Sequence, residues 1–107
     1  MSERVKPADC RDMAEVRHGI DRLDEQLVAL IAERFRYMDA AARIKEVRGA
    51  VRDEARKAEV IANARRSAAA AGVPVAVIEE VYERLVEGSI AYEFERFDEL
   101  RASAGGD

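Results

Sequence analysis

The sequence predicts an all-α protein of three helices, a long first one and two shorter ones, and three observations lead there. Apolar residues recur at alternating spacings of three and four along Met13, Val16, Ile20, Leu23, Leu27, Leu30, Ile31, Phe35 and Met38, the mark of a packed helical stripe. Gly49, Gly72 and Pro74 fall between such runs and not inside them. Ala, Glu, Arg, Leu and Val dominate and Trp is absent, a composition that favours helix over sheet.

The first helix starts near Asp12, which with Glu15 three residues on forms a capping-box-like opening. No proline interrupts before Gly49, so the helix is expected over about residues 12–46. A connector at 47–52 follows. Asp53 caps the second helix and favours its positive dipole end. Gly72 is a suitable residue to end it. Pro74 opens the third helix from a first-turn position. That helix carries Val77, Ile78, Val81, Tyr82, Leu85, Val86, Ile90, Phe94 and Phe97. Residues 1–107 read as one domain, with 1–11 and 102–107 expected to be loose.

Composition excludes several functions. The net charge of -4 and pI near 5.1 argue against bulk nucleic-acid binding. A single cysteine, Cys10, rules out an internal disulfide and any cysteine-based zinc site. The one histidine, His18, sits among charged helix residues and reads as a surface side chain. The N-terminus has no apolar run of signal-peptide length, and no window approaches a membrane span, so a cytoplasmic protein with no membrane partner is expected.

The length of the first helix bears on assembly. At 1.5 Å per residue it spans roughly 50 Å, whereas a compact chain of this size has a radius of gyration near 13 Å. Two shorter helices cannot cover that stripe, so an intertwined homodimer is expected. The competing expectation is a monomeric three-helix bundle with a bent first helix.

Polar groups on apolar stripes are the informative residues. In step with Leu23, Leu27 and Leu30 come Arg34, Met38, Ala41 and Lys45. Arg34 and Lys45 are 11 residues apart, which turns them by only about 20°. Two buried cations need anionic company. Either local carboxylates supply it, or the side chains snorkel past a helix end, or a ligand does. Arg17 points about 100° away from Arg34 and suits a partner's pocket. On the third helix, Ser89 and Glu93 fall one turn apart within the face of Tyr82, Val86, Ile90 and Phe97. Arg56 is placed to close the pocket from a third side, with surface exposure as its rival. Two arginines suit bidentate carboxylate binding. The sequence presents no nucleophile–base pair, metal cluster or glycine-rich phosphate loop. Chemistry here must act by positioning and electrostatics on a small dicarboxylate, with no metal and no cofactor expected.

These residues resemble the all-helical chorismate mutase family, which also contains the isochorismate pyruvate lyases. The resemblance runs from about Asp9 to Leu100. It rests on Val16–Asp24, on Leu30-Ile31-Ala32-Glu33-Arg34, on Ala42-Arg43-Ile44-Lys45, on Val51-Arg52-Asp53 with Arg56, and on Ser89-Ile90-Ala91-Tyr92-Glu93. It implies a dimer whose long helices each contribute to both sites. Arg34 and the partner subunit's Arg17 would hold the two carboxylates, and Lys45 the ether oxygen and a carboxylate. Asp53, Ser89 and Arg56 would place the substrate, and Glu93 would face the ether oxygen from the opposite side. That oxygen gains negative charge during reaction, so the useful form of Glu93 is the protonated acid. The chain departs from the pattern in two places. Glu93 stands where many bacterial mutases and the lyases carry Gln, and Lys57 where many mutases carry an acid that meets the ring hydroxyl. The opening Pro7-Ala8-Asp9-Cys10 is closer to the lyase branch.

The resemblance implies rearrangement of chorismate to prephenate, with pyruvate elimination from isochorismate as the alternative. A third expectation, from a different class, is a catalytically idle helical dimer acting as an interaction module. In that case Arg34 and Lys45 pair with protein carboxylates and leave no cavity.

Overall fold

A computed structural model describes residues 3–105. After a short 3-10 turn at Pro7–Asp9 come helix α1 (Met13–Ile44), a second 3-10 turn at Arg48–Ala50, helix α2 (Glu54–Ala71) and helix α3 (Val75–Gly105). No strand occurs among the described residues. The chain divides into two compact units, Met1–Arg36 and Tyr37–Asp107, and α1 passes from one into the next.

In the first unit, the Asp12 carboxylate accepts the Glu15 amide at 2.9 Å, the forward half of a capping box. The return bond is displaced by one residue: Glu15 accepts from the amide of Arg11 at 2.8 Å, not from that of Asp12. Gly19 is buried, and a Cβ placed there would lie 3.9 Å from the Val5 carbonyl oxygen, so the N-terminal segment lies close against this turn of α1. The apolar stripe predicted for α1 is helical, with Val16, Phe35 and Met38 half-buried and the stretch between them uncovered. Leu27 and Leu30 are more than half exposed, and Ile20, Leu23 and Ile31 are exposed as well.

The second unit holds the core. Ala42 near the end of α1, Val51 in the connector, and Val86, Ile90 and Phe97 on α3 are buried together, with Val60, Phe94 and Leu100 packed on them. Ala64 and Ala68 of α2 are also buried; their small side chains let α2 approach closely on that face. Asp53 caps α2 by accepting the Arg56 amide at 3.0 Å. Gly72 ends it at φ 74°, with the Val73 amide bonded to Ala68 and the Gly72 amide to Ala69, a Schellman motif. Pro74 stands just ahead of α3, where its carbonyl accepts the Ile78 amide, and not inside the first turn.

Helix α3 continues to Gly105, beyond the loosening expected from Ala102, because the residues before that point are anchored: Phe97 is buried, Leu100 packs on the core and Arg101 is hydrogen-bonded. The looseness expected for 1–11 and 102–107 falls partly on Met1, Ser2, Gly106 and Asp107, which lie outside the described residues.

Candidate active site

Within the second unit, the end of α1 and the middle of α3 bring two of the expected site residues together. Lys45 lies one residue past Ile44, and its amide still bonds to the Ala41 carbonyl at 2.9 Å. Its Nζ sits 2.7 Å from Oε2 of Glu93. The Glu93 side chain is only 5% exposed and that of Lys45 is 29% exposed. The contact is an ion pair by distance but lacks hydrogen-bond geometry at Oε2, an otherwise buried oxygen. A buried carboxylate whose charge is met by one cation at its edge is costly to keep.

Ser89 is buried one turn before Glu93, and its hydroxyl donates to the Leu85 carbonyl at 2.7 Å. Asp53 is occupied as the α2 cap. The Arg56 guanidinium is exposed and pairs with Glu59 on its own helix at 2.5 Å, so in this chain its side chain lies along α2. Arg17 and Arg34 belong to the first unit, Arg17 exposed and Arg34 half-buried. Among the described residues, no group of His, Cys, Asp and Glu side chains is arranged to hold a metal ion. No helix of the described residues is long and apolar enough to cross a membrane.

Lys57 does not stand alone. Its ammonium lies 2.6 Å from Glu83 and 2.7 Å from Glu87 on α3, and Arg52 reaches Glu87 at 2.7 Å and Glu54 at 2.8 Å. The hydrogen bonds from Arg52 and then Lys57 pull the Glu87 carboxyl down to about 2. The Glu83 and Glu87 carboxylates raise the Lys57 ammonium above its ordinary value. The cation that departs from the mutase pattern therefore fastens α2 to α3.

Sequence reasoning missed Arg101. Its guanidinium donates to the Ala42 carbonyl at 2.5 Å and to the carbonyl of Lys45 itself, and it stacks 3.6 Å from the centre of the Phe97 ring. The signal was present: Arg101 follows Phe97 by four residues on the stripe of Val86, Ile90 and Phe97, the same cation-on-an-apolar-face pattern that singled out Arg34 and Lys45. A second missed contact joins the end of α1 to α3. There the Tyr92 hydroxyl donates to Asp39 at 2.6 Å and Arg96 to the same oxygen at 3.2 Å.

Comparison with known proteins bears on this arrangement. The chain is 28% identical over 98 residues to an isochorismate pyruvate lyase of Pseudomonas aeruginosa, covering 92% of this chain and 97% of that protein. Residues 16–94, which include Lys45, Ser89 and Glu93, match the family described as chorismate mutase type II. An all-helical chain matched across that span belongs to the chorismate mutase type II family.

Proposed function

We propose that the protein is a chorismate mutase, converting chorismate to prephenate in a pocket completed by a second copy of the chain. The observation that carries this reading is the Lys45–Glu93 pair, a cation and a carboxyl held at 2.7 Å in a mostly dry setting within the family-matched span. The rearrangement needs no covalent intermediate and no cofactor. The C–O bond breaks ahead of C–C formation, so negative charge grows on the ether oxygen and the enolpyruvyl fragment. Lys45 stabilises that charge, and a preorganised donor acts strongly where water is excluded. Arg34 and the partner subunit's Arg17 clamp the two carboxylates and hold the compact conformer. Asp53 and Ser89 complete the placement of the ring, and Arg56 joins them by turning from Glu59 towards the pocket.

An ether oxygen bonded to both groups at ordinary distances separates Nζ from Oε2 by roughly 5 Å. Binding must therefore open the pair and insert the substrate oxygen. Glu93, displaced from its cation, meets the ether oxygen from the side opposite Lys45.

The exposed stripe of α1 supports the second copy. Covering the exposed remainder of Ile20, Leu23, Leu27, Leu30 and Ile31, which are 37–63% exposed, is worth about 1 kcal/mol for each side chain on each copy, a contribution that favours association. A second reading, isochorismate pyruvate lyase, is favoured by the Pseudomonas aeruginosa relative, which aligns nearly end to end. The same cationic pocket would serve that elimination. A third, the idle helical dimer, agrees with Lys45 having a protein carboxylate for company. One experiment separates them: incubation with chorismate and with isochorismate, followed by chromatographic identification of prephenate, or of salicylate and pyruvate. Prephenate supports the mutase, salicylate and pyruvate the lyase, and depletion of neither compound leaves the interaction module.

A further inference from the structure

Lys45 occupies an awkward place for a residue that must aim a charge. It lies just beyond the last residue of α1, where backbone carbonyls have run out of intrahelical partners and the helix would otherwise fray. Its side chain is long and flexible, so the direction of the ammonium depends on how firmly the backbone beneath it is held. Arg101 supplies that hold. Its fork spans two carbonyls, those of Ala42 and Lys45, and its flat face rests on the buried Phe97 ring at 3.6 Å. The ring limits the rotation of the guanidinium and the guanidinium fixes the two carbonyls, one of them on the residue that meets Glu93. A cation is also the favoured partner for the negative end of a helix. Arg101 lies beyond the family-matched residues 16–94.

From this geometry we propose that Arg101 is a positioning residue for Lys45, locking the end of α1 so that the ammonium is aimed before substrate arrives. The catalytic part of the claim rests on the reading of Lys45 given above; the structural part does not. Lysine cannot replace Arg101 fully, since a single ammonium does not span both carbonyls or stack on Phe97 as a plane.

The test uses the full chain and two readouts. In urea unfolding without ligand, the coupling between Lys45→Met and Glu93→Gln is measured with Arg and then with Ala at position 101. At least half of that coupling should vanish in Arg101→Ala, because an unaimed ammonium no longer pairs with Glu93. In kinetics, Arg101→Ala should lower kcat on the substrate that wild type turns over by 10- to 100-fold with KM changed less than threefold. Arg101→Lys should fall between. In a Lys45→Met background, Arg101→Ala should lower kcat no further, whereas a merely structural role would lower it again. Arg65→Ala, which removes an exposed pair with Glu79 on the helix that carries Arg101, is the control and should stay within twofold of wild type. Unchanged Lys45–Glu93 coupling in Arg101→Ala overturns the proposal, as does a full additive loss on Lys45→Met. Lost coupling in a protein that converts neither chorismate nor isochorismate upholds the positioning role and defeats the functional reading instead.

Discussion

Replacing Lys45 by Met should leave Glu93 as a buried carboxylate with its counter-charge gone. Breaking a fully buried pair costs about 3–5 kcal/mol. Lys45 is 29% exposed, so water already screens part of the attraction, and about 2–3 kcal/mol is expected. Glu93→Gln is milder, about 1 kcal/mol, since the ammonium can turn to water while the amide keeps the shape of the side chain. The double variant should return to within about 1 kcal/mol of wild type, because neither charge is then stranded. The measurement is urea unfolding at pH 7 without ligand and at fixed protomer concentration, which matters if association contributes to stability. Single-variant losses of this size leave a typical domain folded, so kinetics can be read on the same samples. There Lys45→Met should lower kcat/KM at least 100-fold, equivalent to about 3 kcal/mol of transition-state stabilisation. A Lys45→Met protein within about 0.5 kcal/mol of wild type would refute the reasoning about the pair. Near-normal turnover would remove Lys45 from the chemistry.

Four further outcomes follow from the same geometry. Leu27→Glu, at a more than half-exposed position of the α1 stripe, should weaken self-association at least tenfold in sedimentation equilibrium and take activity down with it; an unchanged oligomer sinks the shared-site assembly. Mixing inactive Arg17→Ala and Lys45→Met protomers should restore about a quarter of wild-type activity after statistical exchange, since each heterodimer holds one intact site. No recovery after verified exchange counts against Arg17 acting across the interface. Glu93→Gln keeps a hydrogen-bond donor beside the ether oxygen and should retain kcat/KM on chorismate far better than Glu93→Ala; equal losses in the two variants would exclude Glu93 as a donor to the substrate. Finally, the Glu87 carboxyl is held below its ordinary value, so its contribution to stability is present above about pH 4.5 and is lost as pH falls towards about 2. Glu87→Gln should flatten that acid limb in urea midpoints measured from pH 5 to 2, and an equally steep limb in the variant would clear the network of the effect.

The helices were legible because each has local punctuation: the Asp12 and Asp53 caps, and Gly72 in its left-handed turn, are decided by a few neighbouring residues. The uncovered α1 stripe was legible as period, and its exposure is what an overlong helix in one chain should give. The site was only partly legible. Lys45 and Glu93 could be placed on two stripes, but their contact depends on how the connector at Val47–Arg52 returns the chain, through a 3-10 turn whose Val51 plugs the core. Arg56 shows the opposite case. Position and the family resemblance both put it beside the pocket, and the pairing of its exposed guanidinium with Glu59 one turn away was not legible from either. Lys57 reads as a departure from a pattern in one dimension. In three it is explained by Glu83 and Glu87, which α3 presents to it at a separation of about 30 residues.

A helix that serves only to fill a core has no use for the polar groups found here. Ser89, Glu93 and Arg101 all fall on or beside the apolar stripe of α3, and Lys45 meets the same stripe from the end of α1. Each breaks the local rule of apolar-in, polar-out, and a buried ion pair is generally no more stabilising than well-packed apolar side chains of the same size. The surrounding ties differ in kind. Arg52–Glu54 and Arg65–Glu79 are exposed pairs of small individual worth. In the second unit these departures touch one another through named atoms: Arg101 to Lys45, Lys45 to Glu93, with Ser89 one turn away. A connected cluster of such departures is the place in this fold where a functional reading has its strongest physical ground.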